Sequence, residues 1–308
     1  MEIIKQFKAL SDPTRLRLMN ILNHFELNVN EIVSVVDMIQ SGVSRHLRIL
    51  LEAGLLVSRK EGSYIYYSAD NQGPGRGIID LACTRVETEP LFSGDLVRAD
   101  QCITLRQNRA KRFFRTVAPQ WDRLKKEVLG DFDLNQLFDT HIREQQINGG
   151  KMVADLGCGT GEMLSRLLDG GAATLIGVDS SPEMLEQARI RLPERPDLEL
   201  RLGELENLPM RDFEVDAAVM SMVLYHIYEP GKSIQEVFRV LKPGGLFLLA
   251  DFLSHTQEEI KEIIGGSWLG FKKSQIKEWL SSSGFTLKTS QVYPVEKDLS
   301  IIFYLAQK

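Results

Sequence analysis

A glycine-rich turn in the second half of the chain carries residue types that bind a nucleoside. Residues 153–161 read VADLGCGTG, so Asp155 stands just before three glycines at alternate positions. Glycine leaves the backbone unshielded, which lets a ligand lie directly against it. Asp179 ends the next apolar run, 18 positions after Gly161, where a carboxylate can accept hydrogen bonds from ribose hydroxyls. This spacing predicts a site for a nucleoside cofactor at the carboxyl ends of two strands.

Two cofactors are compatible with this pattern, a nicotinamide dinucleotide and S-adenosylmethionine. Asp155 favours the second, because a carboxylate before the turn would repel a pyrophosphate but pair with an amino-acid ammonium, directly or through water. Gly203, Glu204 and Leu205 follow the third predicted strand, where they would border an adenine. A further turn, LKPGG at 241–245, precedes the apolar run 246–250.

Together these segments resemble the class I methyltransferases over roughly residues 110–255. The resemblance implies that the chain binds S-adenosylhomocysteine, S-adenosylmethionine or both, and that FFRTVAPQWD at 113–122 covers the ligand. His226, after the fourth strand, is a candidate catalytic base, and a structural histidine fits its position equally well. The implied ligand-binding residues are Phe113, Phe114, Trp121, Asp155, Gly157, Cys158, Gly159, Asp179, Ser180, Met184, Gly203, Glu204, Leu205 and Met220.

A second group of residues has the chemistry of nucleic-acid contact. Residues 41–48 read SGVSRHLR, which puts serines and arginines on one face of a predicted helix and Val43 and Leu47 on the other. Arginine pairs with phosphate or guanine edges, and serine donates to phosphate. The alternating runs 55–60 and 64–67 predict a β-hairpin with its turn at 61–63. The predicted DNA-binding residues are Ser41, Ser44, Arg45, His46, Arg48, Arg59 and Tyr64.

The N-terminal segment resembles the ArsR-type bacterial repressors over about residues 3–70. The similarity depends on FKALSDPTRLRL at 7–18, SGVSRHL at 41–47 and EAGLL at 52–56. It implies a homodimer that binds an inverted repeat in double-stranded operator DNA. The chain departs from the metal sensors of that family, because Asn28 and Asn30 stand where their cysteine ligands sit. Asparagine is a poor ligand for such metals, so we predict no metal site.

The elements that must position these residues predict two fold classes. Up to residue 70 the pattern is helix, helix, polar-faced helix and hairpin, which is typical of an α+β winged helix–turn–helix. From residue 151 strands and helices alternate, which indicates an α/β Rossmann-like methyltransferase fold with a mostly parallel seven-stranded sheet. The predicted domains are 1–75 for DNA binding, 76–148 as a helical connector, dimerisation and ligand-lid segment, and 149–308 for ligand binding.

Composition agrees with two globular domains. The chain has 308 residues, of which 43% are hydrophobic and 26% charged. No apolar run reaches the roughly 18 residues of a membrane span, and the N-terminal segment lacks the pattern of a secretory signal. Three widely spaced cysteines are consistent with a reducing cytoplasm. Because the net charge is −5, any DNA binding must be local. Two segments are basic, 41–60 with four basic and one acidic residue and 98–126 with nine basic and two acidic residues.

Two functions from different classes fit this layout. An ArsR-like domain before a methyltransferase-like domain resembles the S-adenosylhomocysteine-responsive repressors of methionine-cycle control, the SahR group. That resemblance implies a repressor of methionine-cycle genes whose methyltransferase fold serves as a sensor, with ligand binding releasing DNA. The alternative is an active S-adenosylmethionine-dependent methyltransferase of a small molecule with a fused DNA-binding regulatory domain.

Overall fold

A computed structural model describes residues 1–61, 64–86, 88–147, 149–171 and 174–308. The chain divides into two compact units, residues 1–108 and 109–308. Their boundary falls inside the segment predicted as a connector, whose predicted last residue, 148, lies outside the described ranges. The predicted hairpin turn at 61–63 likewise includes two residues, 62 and 63, that lie outside them.

The first unit has the element order of a winged helix–turn–helix, so that prediction is confirmed. Strands β1, β2 and β3 form an antiparallel sheet in the order β1–β3–β2. The sequence patterns did not predict the first helix, whereas the fifth lies in the segment predicted as a helical connector. The elements of this unit are α1 (Glu2–Leu10), α2 (Pro13–His24), β1 (Leu27–Asn28), α3 (Val29–Val36), α4 (Gln40–Glu52), β2 (Leu56–Glu61), β3 (Tyr64–Ala69), α5 (Arg76–Val86) and the first part of α6 (Pro90–Val117).

Capping residues fix where the helices of this unit begin. Asp12 caps α2 by accepting the Arg15 N–H at 3.0 Å. Asn28 caps α3 through a reciprocal pair with Glu31, in which each side chain accepts the other residue's backbone N–H at 2.9–3.1 Å. Such a capping box satisfies two N–H groups that the helix leaves unbonded. Asn28, which stands where metal sensors carry a ligand, therefore has a structural role at this position.

A buried ion pair holds the first part of α6 within the first unit. Asp95 of α6 is fully buried, and Arg17 of α2 donates to both of its carboxylate oxygens, at 2.7 and 2.9 Å. Arg98 pairs with the same carboxylate and donates to the Val35 carbonyl of α3 at 2.8 Å. A buried carboxylate needs partners of this kind. These contacts join the first part of α6 to α2 and α3 inside the first unit, residues 1–108.

The second unit is built on a twisted sheet of seven strands in the described part of the chain, as predicted. The strand order is β6–β5–β4–β7–β8–β10–β9, and only the pairings of β10 are antiparallel. The strands are β4 (Met152–Leu156), β5 (Thr174–Asp179), β6 (Leu198–Leu202), β7 (Val215–Ser221), β8 (Leu241–Phe252), β9 (Thr286–Pro294) and β10 (Ser300–Gln307). The helices are α7 (Trp121–Leu129), α8 (Leu134–Glu144), α9 (Glu162–Asp169), α10 (Pro182–Arg191), α11 (Pro230–Val240), α12 (Glu258–Ile264) and α13 (Lys273–Ser282).

The glycines at 241–245 differ from their prediction as a turn before a strand. They lie inside β8, and its pairing with β7 shifts register between Val215 and Ala217. Residues 242–245, between the two registers, therefore form an irregularity within a continuous strand. The strand ends in the fully buried Asp251 and in Phe252.

The order of the strands determines where a ligand can bind. From β4 the chain passes to β5 and β6 on one side of the sheet, and later to β7 and β8 on the other. Parallel sheets of this kind bind ligands outside the carboxyl ends of the strands where the order reverses. The glycine turn follows β4 at that point.

Candidate ligand site and DNA-binding surface

The glycine turn between β4 and α9 requires a backbone that other residues rarely adopt. Gly157 has φ +78°, and a methyl group added to it would lie 2.6 Å from the Val223 side chain. Gly161 has φ +77°, and a methyl group there would lie 2.9 Å from Leu192. Both positions combine left-handed backbone with close packing, so they favour glycine strongly.

Three consecutive backbone N–H groups of this turn already have acceptors. Gly157 and Cys158 both donate to the Val178 carbonyl, at 2.8 and 3.0 Å. Gly159 donates to the Asp179 carboxylate at 2.8 Å. A turn that binds phosphate directs such groups at the anion. The geometry therefore disfavours a pyrophosphate and, with it, the nicotinamide dinucleotide alternative.

Two carboxyl groups make the floor of the site negative. Asp155 is 2% exposed, and its Oδ2 atom has no hydrogen-bond partner among the described residues. Burial, together with the nearby Asp179 charge, raises the pKa of Asp155 to about 7. Asp179 accepts N–H groups from Gly159 and Ser181, at 2.8 and 2.9 Å, and burial raises its pKa to about 6. A cationic group at this position would relieve the cost of burying these charges.

Aromatic side chains cover the turn. Trp121, at the start of α7, lies 3.9 Å from the position of a methyl group on Gly159. The Phe114 ring centroid is 5.4 Å from that of Trp121 and 4.7 Å from that of His226. Phe113 packs edge-on against Phe114 at 5.6 Å. The predicted covering residues therefore lie together above the glycine turn.

The segment after β7 is positioned by a carboxylate that the sequence patterns did not identify. Asp251 is fully buried and accepts the backbone N–H groups of Val223 and Phe252, at 3.1 and 2.8 Å. This holds Val223 on Gly157. A signal was present in the sequence, since an aspartate at the end of an otherwise apolar strand needs buried partners.

His226 of the same segment is a neutral imidazole. Its Nδ1 atom lies 3.3 Å from the Gly265 carbonyl, which fits a donated N–H. Its Nε2 atom is buried and has no partner among the described residues. Burial lowers the pKa of His226 to about 3, so the ring is uncharged at neutral pH.

The other predicted ligand-binding residues divide into three kinds. Cys158, Met184, Leu205 and Met220 are buried, and the Cys158 Sγ atom lies beneath the turn, 3.0 Å from the position of a methyl group on Gly177. Gly203 joins two strand ends by donating its N–H to the Asp179 carbonyl at 3.0 Å. Ser180 is partly exposed and Glu204 exposed beside them. Their contacts with a ligand remain predictions.

On the first unit, α4 has the two faces that the sequence predicts. Val43, Leu47 and Leu50 are buried against the core of this unit. The exposed residues on the helix include Ser41, Ser44, Arg45 and Arg48. On the hairpin, Tyr64 is 42% exposed. These five side chains are exposed on α4 and on the hairpin, and their contact with DNA remains a prediction.

Two predicted DNA-binding side chains differ from this exposed set. The His46 Nδ1 atom is buried and lies 3.7 Å from the Asp12 carboxylate, with no hydrogen-bond partner among the described residues. Arg59 donates to both carboxylate oxygens of Glu26, at 3.1 and 2.8 Å, and lies over the Tyr66 ring. Strand periodicity points Arg59 outward, but Glu26 binds its side chain within the domain, and His46 is only partly exposed on α4.

The fold and site define a class of protein in which a winged helix–turn–helix precedes a class I α/β domain with a glycine turn at its switch point. Residues 12–58 match the family described as "Bacterial regulatory protein, arsR family", and residues 154–249 match the family described as "Methyltransferase domain". The chain therefore carries an ArsR-family helix–turn–helix domain followed by a methyltransferase domain.

Relatives among curated proteins match the second domain. A demethylmenaquinone methyltransferase of Paenarthrobacter aurescens is 31% identical over 48% of this chain and 56% of its own length. An uncharacterized methyltransferase of Mycobacterium tuberculosis is 41% identical over 31% of this chain and 37% of its own length. The matches thus span less than two thirds of these relatives.

A solved structure supports the same fold. The [4+2]-cyclase SpnF superimposes with a TM-score of 0.55 at 18% identity, covering 66% of this chain and 96% of that protein. This likeness concerns the fold alone. In the described part of the chain, no helix combines the length and apolar character needed to cross a membrane.

Proposed function

We propose that the protein is a transcriptional repressor that binds operator DNA as a homodimer and senses S-adenosylhomocysteine in its methyltransferase domain. The observation that carries the ligand assignment is the buried, unpartnered Oδ2 atom of Asp155 beside the glycine turn. Leaving a buried charged group without a partner costs free energy. The ammonium of the amino-acid part of the ligand would supply that partner, directly or through a water.

The remaining contacts follow from the same geometry. Asp179 would hold the ribose hydroxyls, and the segment from Gly203 to Leu205 would border the adenine. The ligand would bring hydrogen-bond donors to a turn whose own donors are engaged. S-adenosylmethionine satisfies these contacts equally well, and when bound it supplies an activated methyl group.

The side chain that packs on Gly157, the first glycine of the turn, supports a sensor that prefers the product, S-adenosylhomocysteine. Val223 covers Gly157 with an apolar surface. The substrate form carries a sulfonium charge that the product lacks, and an apolar wall disfavours the charged form. Ligand binding would then release operator DNA and relieve repression of methionine-cycle genes, as in the repressors that this layout resembles.

One observation favours the alternative, an active methyltransferase of a small molecule. The unpartnered Nε2 atom of His226 lies within the aromatic cover of the turn. A neutral imidazole can accept a proton from an acceptor molecule, and the rings around it attract a sulfonium. In this role His226 would be the base and the DNA-binding domain would regulate the enzyme.

Titration calorimetry with the full chain separates the two functions. S-adenosylhomocysteine and S-adenosylmethionine are each titrated into the protein, alone and with operator DNA selected from a random pool. Tighter binding of the product, weakened by DNA, is expected for the sensor, because the coupling between two ligands is reciprocal. Equal affinities without any effect of DNA would refute the sensor and support the enzyme.

A further inference from the structure

We propose that Asp122, Thr160 and Arg191 form a latch that holds the start of α7 on the glycine turn and slows the release of a bound ligand. The inference depends on the proposed ligand site, since α7 contributes Trp121 to the cover of that site. In this proposal Thr160 is a positioning residue, a role that the family resemblances do not give it.

The three side chains form a closed network. The Thr160 hydroxyl donates to one Asp122 carboxylate oxygen at 2.7 Å and accepts from Arg191 Nη1 at 2.9 Å. Arg191 pairs with the other Asp122 oxygen. Each member thus contacts the other two, and Thr160 is 6% exposed. These bonds hold the pKa of the Asp122 carboxyl below its ordinary value despite its burial, so the network is charged at neutral pH.

The network joins three elements that surround the proposed ligand. Thr160 belongs to the glycine turn, between Gly159 and Gly161. Asp122 is adjacent to Trp121, which lies on Gly159. Arg191 ends α10, the helix that begins just after Asp179. The turn that would contact the ligand therefore bonds directly to the helix that covers it, and opening that cover must break these bonds.

A second contact limits what the latch controls. Lys125, one turn further along α7, pairs with Glu162 of α9, and Asn135 donates to the same carboxylate at 2.6 Å. Removing the Thr160 hydroxyl should therefore detach the first turn of α7 from the glycine turn, while the Asp122–Arg191 ion pair and the Lys125 contact stay in place. A cavity of about 270 Å³, lined in part by Asp122, Thr160 and Arg191, adjoins the network.

Thr160→Val tests the latch, because valine keeps the shape of threonine and removes the hydroxyl. Thr160→Ser keeps the hydroxyl. For S-adenosylhomocysteine, stopped-flow measurement should find dissociation from Thr160→Val roughly tenfold or more faster than from wild type, as expected for the loss of hydrogen bonds to charged groups. Thr160→Ser should stay close to wild type. Equal dissociation rates for wild type and Thr160→Val, or a serine variant as fast as the valine variant, would overturn the proposal.

Hydrogen exchange measured without ligand separates failure of the latch from failure of the proposed function. Amides of residues 118–125 should exchange faster in Thr160→Val and Arg191→Met than in wild type. Arg189→Met is the matched control, since Arg189 lies on the same helix and pairs with Glu186 at the surface. If neither nucleoside binds wild type, the proposed function fails. Unchanged exchange in both latch variants refutes the latch itself.

Discussion

Replacing Asp155 by asparagine is expected to stabilise the second unit at neutral pH while weakening ligand binding. Asparagine has nearly the same shape and carries no charge. Asp155 is 2% exposed, with one oxygen unpartnered among the described residues. In the free protein its charge is a cost, which the ammonium of the ligand would offset. The same substitution should therefore raise stability and lower affinity.

The pKa shift gives the sign and size of the effect on stability. The pKa of Asp155 rises from its ordinary value of 3.8 to about 7. Between these values the folded state binds more protons than the unfolded state. The stability contributed by the protonated Asp155 carboxyl is therefore full below pH 3.8 and is lost as the pH rises through about 7. Ionisation of Asp155 thus lowers the unfolding free energy by at most about 4 kcal/mol at pH 8.5, and by about half of that at pH 5.5.

Tryptophan fluorescence can follow this unit alone, because the three tryptophans of the chain, Trp121, Trp268 and Trp279, all lie in it. Urea unfolding of wild type and Asp155→Asn at pH 5.5 and 8.5 measures the effect. We expect the variant to be more stable at both values, with the larger gain at pH 8.5. Calorimetry with S-adenosylhomocysteine should find weaker binding.

Asp216→Asn is the matched control with the opposite expectation. Asp216 accepts the Met152 N–H and the Lys242 ammonium, each at 2.9 Å, and these contacts hold its pKa below the ordinary value despite partial burial. Its removal should lower stability at both pH values. If Asp155→Asn proves less stable than wild type at pH 8.5, or shows the same difference at both pH values, the assignment of Asp155 as a buried unpartnered charge is wrong.

Three further predictions test the remaining parts of the molecule. Arg45→Ala should weaken operator binding, measured by fluorescence anisotropy, without changing the calorimetric affinity for the ligand, because Arg45 is exposed on α4. Asp179→Ala should weaken ligand binding and leave operator binding unchanged. Loss of both functions in either variant would contradict these separate roles. Gly157→Ala should lower the urea unfolding free energy of the second unit, followed by tryptophan fluorescence, by about 2 kcal/mol or more, because of its positive φ and its contact with Val223. Gly77→Ala, in a helix of the first unit and with open space around it, should leave that value unchanged. Because the pKa of His226 is about 3, any methyl-transfer rate should show no His226 ionisation between pH 5 and 9, and a step near pH 6.5 that His226→Gln removes would refute its burial.

The features that sequence could predict are local. The start of α2 follows from Asp12 and Pro13, whose capping and φ preferences act within one turn. The strand–helix alternation predicts the sheet, because buried strands are continuous apolar runs. Asn28 and Glu31 also have the spacing of a capping box, so the structural role of Asn28 was present in the sequence.

The features that sequence could not predict join distant residues. Arg59 and Glu26 are 33 positions apart, and no spacing rule pairs them. Asp122 and Arg191 are 69 positions apart, and Asp251 and Val223 are 28 apart. Periodicity gives the face of a residue, but a long charged side chain turns toward whatever opposite charge the fold brings near. This is why the Arg59 side chain pairs with Glu26 inside the domain, while Arg45 and Arg48 stay exposed on α4, Arg48 at 4.0 Å from Glu52.

The distribution of hydrogen-bond donors at the glycine turn constrains the ligand more tightly than the glycines do. The N–H groups of Gly157, Cys158 and Gly159 are already used, and two carboxyl groups lie beside them. A ligand must therefore bring donors and positive charge, whether the protein senses it or consumes it. The segment after β7 separates the two functions, sensing and methyl transfer. Its Val223 side chain packs on Gly157 of the turn, and the Nε2 atom of its His226 has no partner among the described residues. If Val223 discriminates against the sulfonium of S-adenosylmethionine, the protein is a sensor. If His226 takes a proton from an acceptor molecule, the protein is an enzyme.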